Sequence, residues 1–194
     1  MPDQAIHKVI ITGTGRAGTT FLMQLLTSIG LDTGFATPEE GIFDNCNAGM
    51  EWRITEPNAP YIIKDPRLCD DLDWVMTTKK FVIDHAFVPI RHIKVATKSR
   101  IRVFAQGGFR AKGGLWDTKN PDDQEGILLE KFYTLVFTLM KYDIPSTFLS
   151  FPRIVKDPEY LYAKMKPIHK GISYSIFFEA FQRISRPELI HSFV

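Results

Sequence analysis

From Val9 to Leu22 the chain reads Val9-Ile10-Ile11-Thr12-Gly13-Thr14-Gly15-Arg16-Ala17-Gly18-Thr19-Thr20-Phe21-Leu22, an apolar run that breaks into glycines and then into a helix-forming stretch. Few folds accommodate this. A β-branched run followed by a glycine loop and a helix is the first unit of an α/β architecture, with ligands held outside the carboxyl ends of parallel strands. Gly13, Gly15 and Gly18 permit positive φ and a close approach of backbone to an anion. Thr19 and Thr20 open a helix whose free N–H groups and positive dipole end face that anion.

Strand and helix alternate along the rest of the chain. Lys8 to Thr12 reads as a strand buried on both faces, and Leu22, Leu25, Leu26 and Ile29 give the following helix its apolar side until Gly30 ends it. Asp32 to Pro60 is rich in turn residues, too long for a structureless connection in a compact domain, and such loops are often functional. Tyr61 to Lys64 is a short strand stopped by Asp65-Pro66, and a helix is expected over Leu68 to Thr77. Ala86 to Ile90 is a third strand. His92 to Ala105 reads as a helix with Arg91, Lys94, Lys98 and Arg102 near one face, followed by a loop carrying Gly107-Gly108 and Gly113-Gly114. Asn120-Pro121 caps a long helix with the stripe Leu128, Phe132, Leu135, Val136 and Leu139. Ser146 to Ser150 is a fourth strand, Asp157-Pro158 starts another helix, and Ile176 to Ile184 is a final amphipathic segment. The expected class is α/β, a mostly parallel central sheet flanked by helices, in one domain spanning 1–194.

Charge and cysteine content narrow the partners. A formal net charge of +2 does not support a nucleic-acid surface, so an anion site must be local. Cys46 and Cys69 have no C-x-x-C spacing, and His7, His85, His92, His169 and His191 are scattered, so neither a disulfide framework nor a metal site is expected. No apolar run approaches the roughly 18 to 20 residues that span a bilayer, and Met1 to Gln4 opens no signal-peptide core; a cytoplasmic protein without membrane contact is expected. The aromatic-rich end, with Tyr174, Phe177, Phe178 and Phe181, reads as core or subunit contact, and a homo-oligomer is compatible with it.

A Walker A loop requires G-x-x-x-x-G-K-[ST]; Gly13 to Gly18 has the glycine spacing, but Thr19 stands where the lysine belongs. A kinase acting on ATP with magnesium would lack the cation that reaches the terminal phosphates, and Arg16 is the nearest substitute. Arg16-Ala17-Gly18-Thr19-Thr20 resembles the phosphosulfate loop of the sulfotransferases that use 3′-phosphoadenosine 5′-phosphosulfate (PAPS). Arg91 at a strand end with Ser99 on the next helix has the spacing of that family's 3′-phosphate pair. Lys64-Asp65-Pro66-Arg67 is similar to a Lys-Asp-Pro segment of the tyrosylprotein and bacterial branches, and Thr37-Pro38-Glu39-Glu40 lies where that branch carries a catalytic glutamate. Phe148 to Phe151 and Asp157 to Leu161 follow the family in outline, up to about Lys170. The histidine base of the cytosolic branch has no counterpart after Lys64.

The resemblance implies a three-layer P-loop fold and a metal-independent, in-line transfer of a sulfuryl group from PAPS, leaving 3′,5′-ADP (PAP). It implies that Gly15, Arg16, Ala17, Gly18, Thr19 and Thr20 hold the 5′ end of the donor and Arg91 and Ser99 its 3′-phosphate. Arg16 and Lys64 would meet the charge that develops, and Glu40 would serve as base, with Glu39 second and His92 next. The acceptor would be a hydroxyl or amine of a small molecule, glycan or peptide, and the loop from Gly107 to Lys119, with Arg110, Lys112 and Trp116, would line its pocket. Trp52, Trp74 and Phe104 are candidates to stack on adenine. The alternatives are an ATP-dependent kinase and a nucleotide-binding protein of the same fold without turnover.

Overall fold

A computed structural model describes residues 5–43, 48–108, 112–169 and 171–190. Four strands, β1 (Ile6–Ile11), β2 (Ile62–Lys64), β3 (Phe81–Ile90) and β4 (Ser146–Ser150), form one sheet in the order β2-β1-β3-β4. All three pairings are parallel. Val9, Ile10 and Ile11 are wholly buried because β1 is central and covered on both faces, which is why its sequence is continuously apolar instead of alternating.

The pleat sends alternate residues of β1 into two separate cores. Val9 and Ile11 pack with Leu22, Leu25 and Leu26 of α1 (Thr19–Ser28) and with Phe177 and Phe181 of the last helix. Ile10 packs with Leu68, Leu72 and Val75 of α2 (Leu68–Thr77), and with Leu135 and Leu139 of a long helix. The other helices are α3 (Ile93–Gly107), α4 (Gln124–Lys141), α5 (Arg153–Lys156), α6 (Pro158–Lys164) and α7 (Tyr174–Ile184). A helix layer on each side of a parallel sheet is the expected α/β arrangement. Among the described residues no helix is long and apolar enough to cross a membrane.

Most element boundaries follow the sequence pattern, and the exceptions have local causes. β3 begins at Phe81, not Ala86, because its first half pairs with the start of β1 across an irregularity in which Lys8 faces Ile83 and Val9 faces His85. The extra residue, Asp84, accepts hydrogen bonds from Tyr61 Oη at 2.9 Å and meets His7 Nδ1 at 2.7 Å, so polar side chains serve a strand edge there. The Asn120-Pro121 start produces a short 3₁₀ turn before α4 begins at Gln124.

The described residues from Asp32 to Pro60 contribute no strand to the sheet, yet they are strapped down. Lys8, buried at the start of β1, donates to the carbonyls of Ala59 and Pro60. Trp52 N–H donates to Lys64 O at 3.1 Å, and the buried Asp65 carboxylate accepts from Ile54 N–H at 3.0 Å and from Arg53 Nη1 at 3.1 Å. Burial pushes the Asp65 carboxyl up, against the hydrogen bond from Ile54 and the charge of Arg53. Ile42 and Gly49 form an antiparallel bridge in which a Cβ on Gly49 would come within 2.1 Å of Gly41 O. Only glycine fits there. Met50, fully buried, then anchors the chain beside the end of β2.

Candidate functional site

The strand order changes direction at β1: its neighbours β2 and β3 lie on opposite sides, and the glycine loop leaves its carboxyl end between them. Such a switch point is where open parallel sheets form a crevice. Gly18, with φ +83°, precedes α1, and the first helical bond runs from Leu22 N–H to Gly18 O at 3.1 Å. The N–H groups ahead of Leu22 therefore belong to the helix N-terminus and lack intrahelical partners. No acidic side chain occupies this first turn to offset the dipole.

Arg16 takes up φ +58°, a left-handed conformation rare for a side chain of this size, and its Nε donates to Ser99 Oγ at 3.1 Å. Arg91 Nη1 donates to the Arg16 carbonyl at 3.1 Å, and its guanidinium stacks 4.9 Å from the Phe151 ring centre. The loop arginine and the distant Arg91 and Ser99 thus form one assembly. Burial, with the neighbouring Arg16 charge, lowers the Arg91 pKa, while Ser99 is 3% exposed.

Lys64 closes the opposite wall. It ends β2, 2% exposed, and its ammonium donates to Gly49 O at 2.6 Å, to Thr20 Oγ1 at 3.0 Å and to Glu51 Oε1 at 3.1 Å. Its neighbour Asp65 turns the other way, toward Arg53. Lys64 ends β2 and Asp65 directly follows it, and their bonds diverge, so one serves the cavity and the other holds the long loop.

These groups border a cavity of about 530 Å³. Gly15, Arg16, Gly18, Thr19, Thr20, Lys64, Arg91 and Ser99 all line it; Ala17, 1% exposed, does not. Among the described residues, six with cationic side chains line the cavity, Arg16, Lys64, Arg91, Arg100, Arg183 and Arg186, against two with carboxylates, Glu39 and Glu51. This balance, together with the helix N-terminus, gives the crevice a positive lining of the kind that attracts anions although the whole chain is nearly neutral. Among the described residues no group of His, Cys, Asp or Glu side chains is arranged to hold a metal.

Several expected residues lie elsewhere. Glu40 does not line the cavity; its carboxylate accepts the Ala36 N–H at 2.6 Å and stabilises a turn, whereas Glu39 faces inward. His92 precedes α3 and is not part of the wall. Trp52, Trp74 and Phe104 are also absent from the wall; among the described residues the aromatics that line it are Phe21 and Phe151. In the Gly107 to Lys119 loop, Gly113 reaches the cavity, Lys112 sits 3.9 Å over the Phe43 ring, and Trp116 lies beneath the cations of Arg100 and Lys131. Arg110, Cys46, Lys170 and His191 lie outside the described residues.

Arg100 and Glu51 escaped the sequence reading. Arg100 follows Ser99, so only its place on the inner side of α3 separates it from the solvated basic residues around it. Its Nη2 donates to Thr14 O at 2.6 Å and its Nη1 to Gly114 O at 2.8 Å, while its buried Nε has no partner among the described residues. Burial, helped by the Arg16 charge, brings its pKa down to about 10, which leaves it cationic at neutral pH. A Cβ on Gly15 would lie 2.7 Å from Arg100 Nη2, so the glycine is needed for the guanidinium to reach the loop. Replacing Arg100 with methionine is expected to lower the unfolding free energy by about 2 to 4 kcal/mol, since two carbonyls lose their donor. Urea denaturation of the variant checks this.

No family model matches the sequence, and no curated protein matches it. Among solved structures, the chain is similar to the sulfotransferase domain of the olefin synthase from Synechococcus PCC 7002. The TM-score is 0.55 at 14% sequence identity, covering 96% of this chain and 84% of that one. At this identity the likeness concerns the backbone, and the chain has a sulfotransferase-like α/β fold.

Proposed function

We propose that the chain is a sulfotransferase that takes its sulfuryl group from PAPS and passes it to a hydroxyl or amine acceptor. The observation that carries this reading is the assembly of Arg16, Arg91 and Ser99, which joins the glycine loop to the residue after β3 and to α3 through two hydrogen bonds of 3.1 Å. A loop without the Walker lysine is flanked by Lys64 at the end of β2 and Arg91 just past the end of β3, and cations on two walls suit a donor with phosphate at both its 5′ and 3′ positions. Three features of the cavity support this reading: the helix N-terminus at α1, the buried Arg100, whose Nε has no partner among the described residues, and a surplus of cationic residues over carboxylates in the described lining.

When bound, PAPS supplies an activated sulfuryl group on its 5′-phosphate. Each protein group then has a task set by its position. The N-terminus of α1 and the hydroxyls of Thr19 and Thr20 hold the 5′ end, and Arg91 and Ser99 hold the 3′-phosphate. Phe21, Phe151 and Val155 offer the apolar wall against which adenine rests. Lys64 and Arg16 face the oxygens on which negative charge grows, and they are fixed before the reaction begins. A carboxylate near Lys64 receives the acceptor proton.

The direct test is conversion of PAPS to PAP by the purified chain in the presence of phenol, p-nitrophenol and simple amines, followed by chromatography of the nucleotide. Acceptor-dependent PAP formation is the expected result. PAP binding with no turnover toward any acceptor would indicate a nucleotide-binding protein of this fold.

A further inference from the structure

We infer that Glu51 is the proton acceptor of the transfer. This rests on the donor reading above. It adds a residue that neither the loop motif nor the Glu39-Glu40 segment identifies.

The chain builds the position of Glu51 from both sides. Met50, before it, is fully buried and its N–H donates to Gly41 O at 2.7 Å; Trp52, after it, pairs its N–H with Lys64 O at 3.1 Å. Glu51 therefore runs alongside the last residue of β2, and its carboxylate sits 3.1 Å from the Lys64 ammonium inside the cavity. Its side chain is 42% exposed, so a proton taken there has a route to water. The other two carboxylates are placed less well. Glu40 is bound to Ala36 N–H outside the wall. Glu39 lines the cavity on the side of α1 where Gln24 holds the Pro38 carbonyl, one helical turn beyond Thr20, and it makes no ion pair with Lys64.

In the transfer, the acceptor O–S or N–S bond forms as the bond between sulfur and the 5′-phosphate oxygen breaks. The electron pair of the broken bond stays on that phosphate oxygen, and the acceptor's proton moves to the Glu51 carboxylate. Lys64 faces the oxygen that gains charge and Glu51 the atom that loses a proton. Neighbouring side chains thus meet the two ends of one displacement, with no further reactant.

Glu51→Gln tests the assignment, compared with Glu39→Gln in the same assays. Transfer to phenol, which must lose its proton, should fall about 100-fold, the lower range for a general base. Transfer to p-nitrophenol, largely ionised in mildly alkaline buffer, should fall less than about fivefold by the same logic. Affinity for PAP, read by calorimetry, should be unchanged or higher, because a negative charge has left an anion site. Equal losses with both phenols, weakened PAP binding, or full phenol transfer by Glu51→Gln would each overturn the role. A native chain that binds PAP without turnover also overturns it while leaving the donor site standing; a native chain that binds no PAP contradicts the donor reading itself.

Discussion

Replacing Lys64 with alanine should lower the rate of sulfuryl transfer about 1000-fold, the upper range for loss of one preorganised charge-stabilising group. Its ammonium is buried at the carboxyl end of β2 and fixed by Gly49, Thr20 and Glu51, so it needs no reorganisation to meet a leaving oxygen. Affinity for PAP should change far less than the rate, because the charge it faces grows most in the transition state. The variant also removes the closer of two donors to Gly49 O and the cation paired with the Glu51 carboxylate, which should destabilise the fold by about 1 to 3 kcal/mol. Lys64→Arg should not restore the rate, since a planar guanidinium cannot occupy a pocket shaped for a compact ammonium. Single-turnover kinetics with a thermal melt of each variant separate the two effects. A rate loss no greater than the loss in PAP affinity would assign Lys64 to ground-state binding.

Arg91→Ala should have the largest effect on donor affinity, weakening PAP about 100-fold, or about 2.7 kcal/mol. Arg91 directly follows the last residue of β3, stacks on Phe151 and reaches the Arg16 carbonyl, so it is held in place before any ligand arrives. A charge-assisted contact to phosphate from such a preorganised guanidinium lies in this range. The loss should be specific: adenosine 5′-phosphosulfate, which lacks the 3′-phosphate, should bind the variant and the native chain within about threefold of one another by the same reasoning. Titration calorimetry with both ligands makes the comparison. Equal weakening of the two would mean that Arg91 supports the loop and does not read the 3′-phosphate.

Legibility differed sharply between the elements. Val9 to Ile11 announced a central strand because burial on both faces demands continuous apolar residues, and Ser146–Ser150 and Leu68–Thr77 match their patterns residue for residue. The first half of β3 was hidden because Asp84 and His85 interrupt its pattern, their side chains being used by Tyr61, His7 and Thr147. Gly15, Arg16 and Thr19 could be grouped from sequence because a strand-loop-helix unit fixes their geometry locally. That Arg91, Ser99 and Lys64 join them follows from the parallel order of β2, β1 and β3, which brings their carboxyl ends together.

Glu51 and Arg100 could not be read in this way. Glu51 lies in a stretch with no periodicity, and its position depends on the Gly41–Gly49 approach, the burial of Met50 and a backbone pairing with Lys64. Arg100 belongs to a helix with several basic residues, and only packing against Thr14 and Gly114 distinguishes it from Lys98 and Arg102. The two acidic residues with the more suggestive motif, Glu39 and Glu40, part company because a single turn aims one inward and ties the other to Ala36.

Calorimetric titration of the native chain with PAP, and separately with ATP in the presence of magnesium, tests the donor reading most directly. PAP should bind in the micromolar range without added metal and with an affinity that falls as salt is raised, as expected for a cationic cavity. Magnesium-dependent ATP binding with no heat from PAP would contradict it.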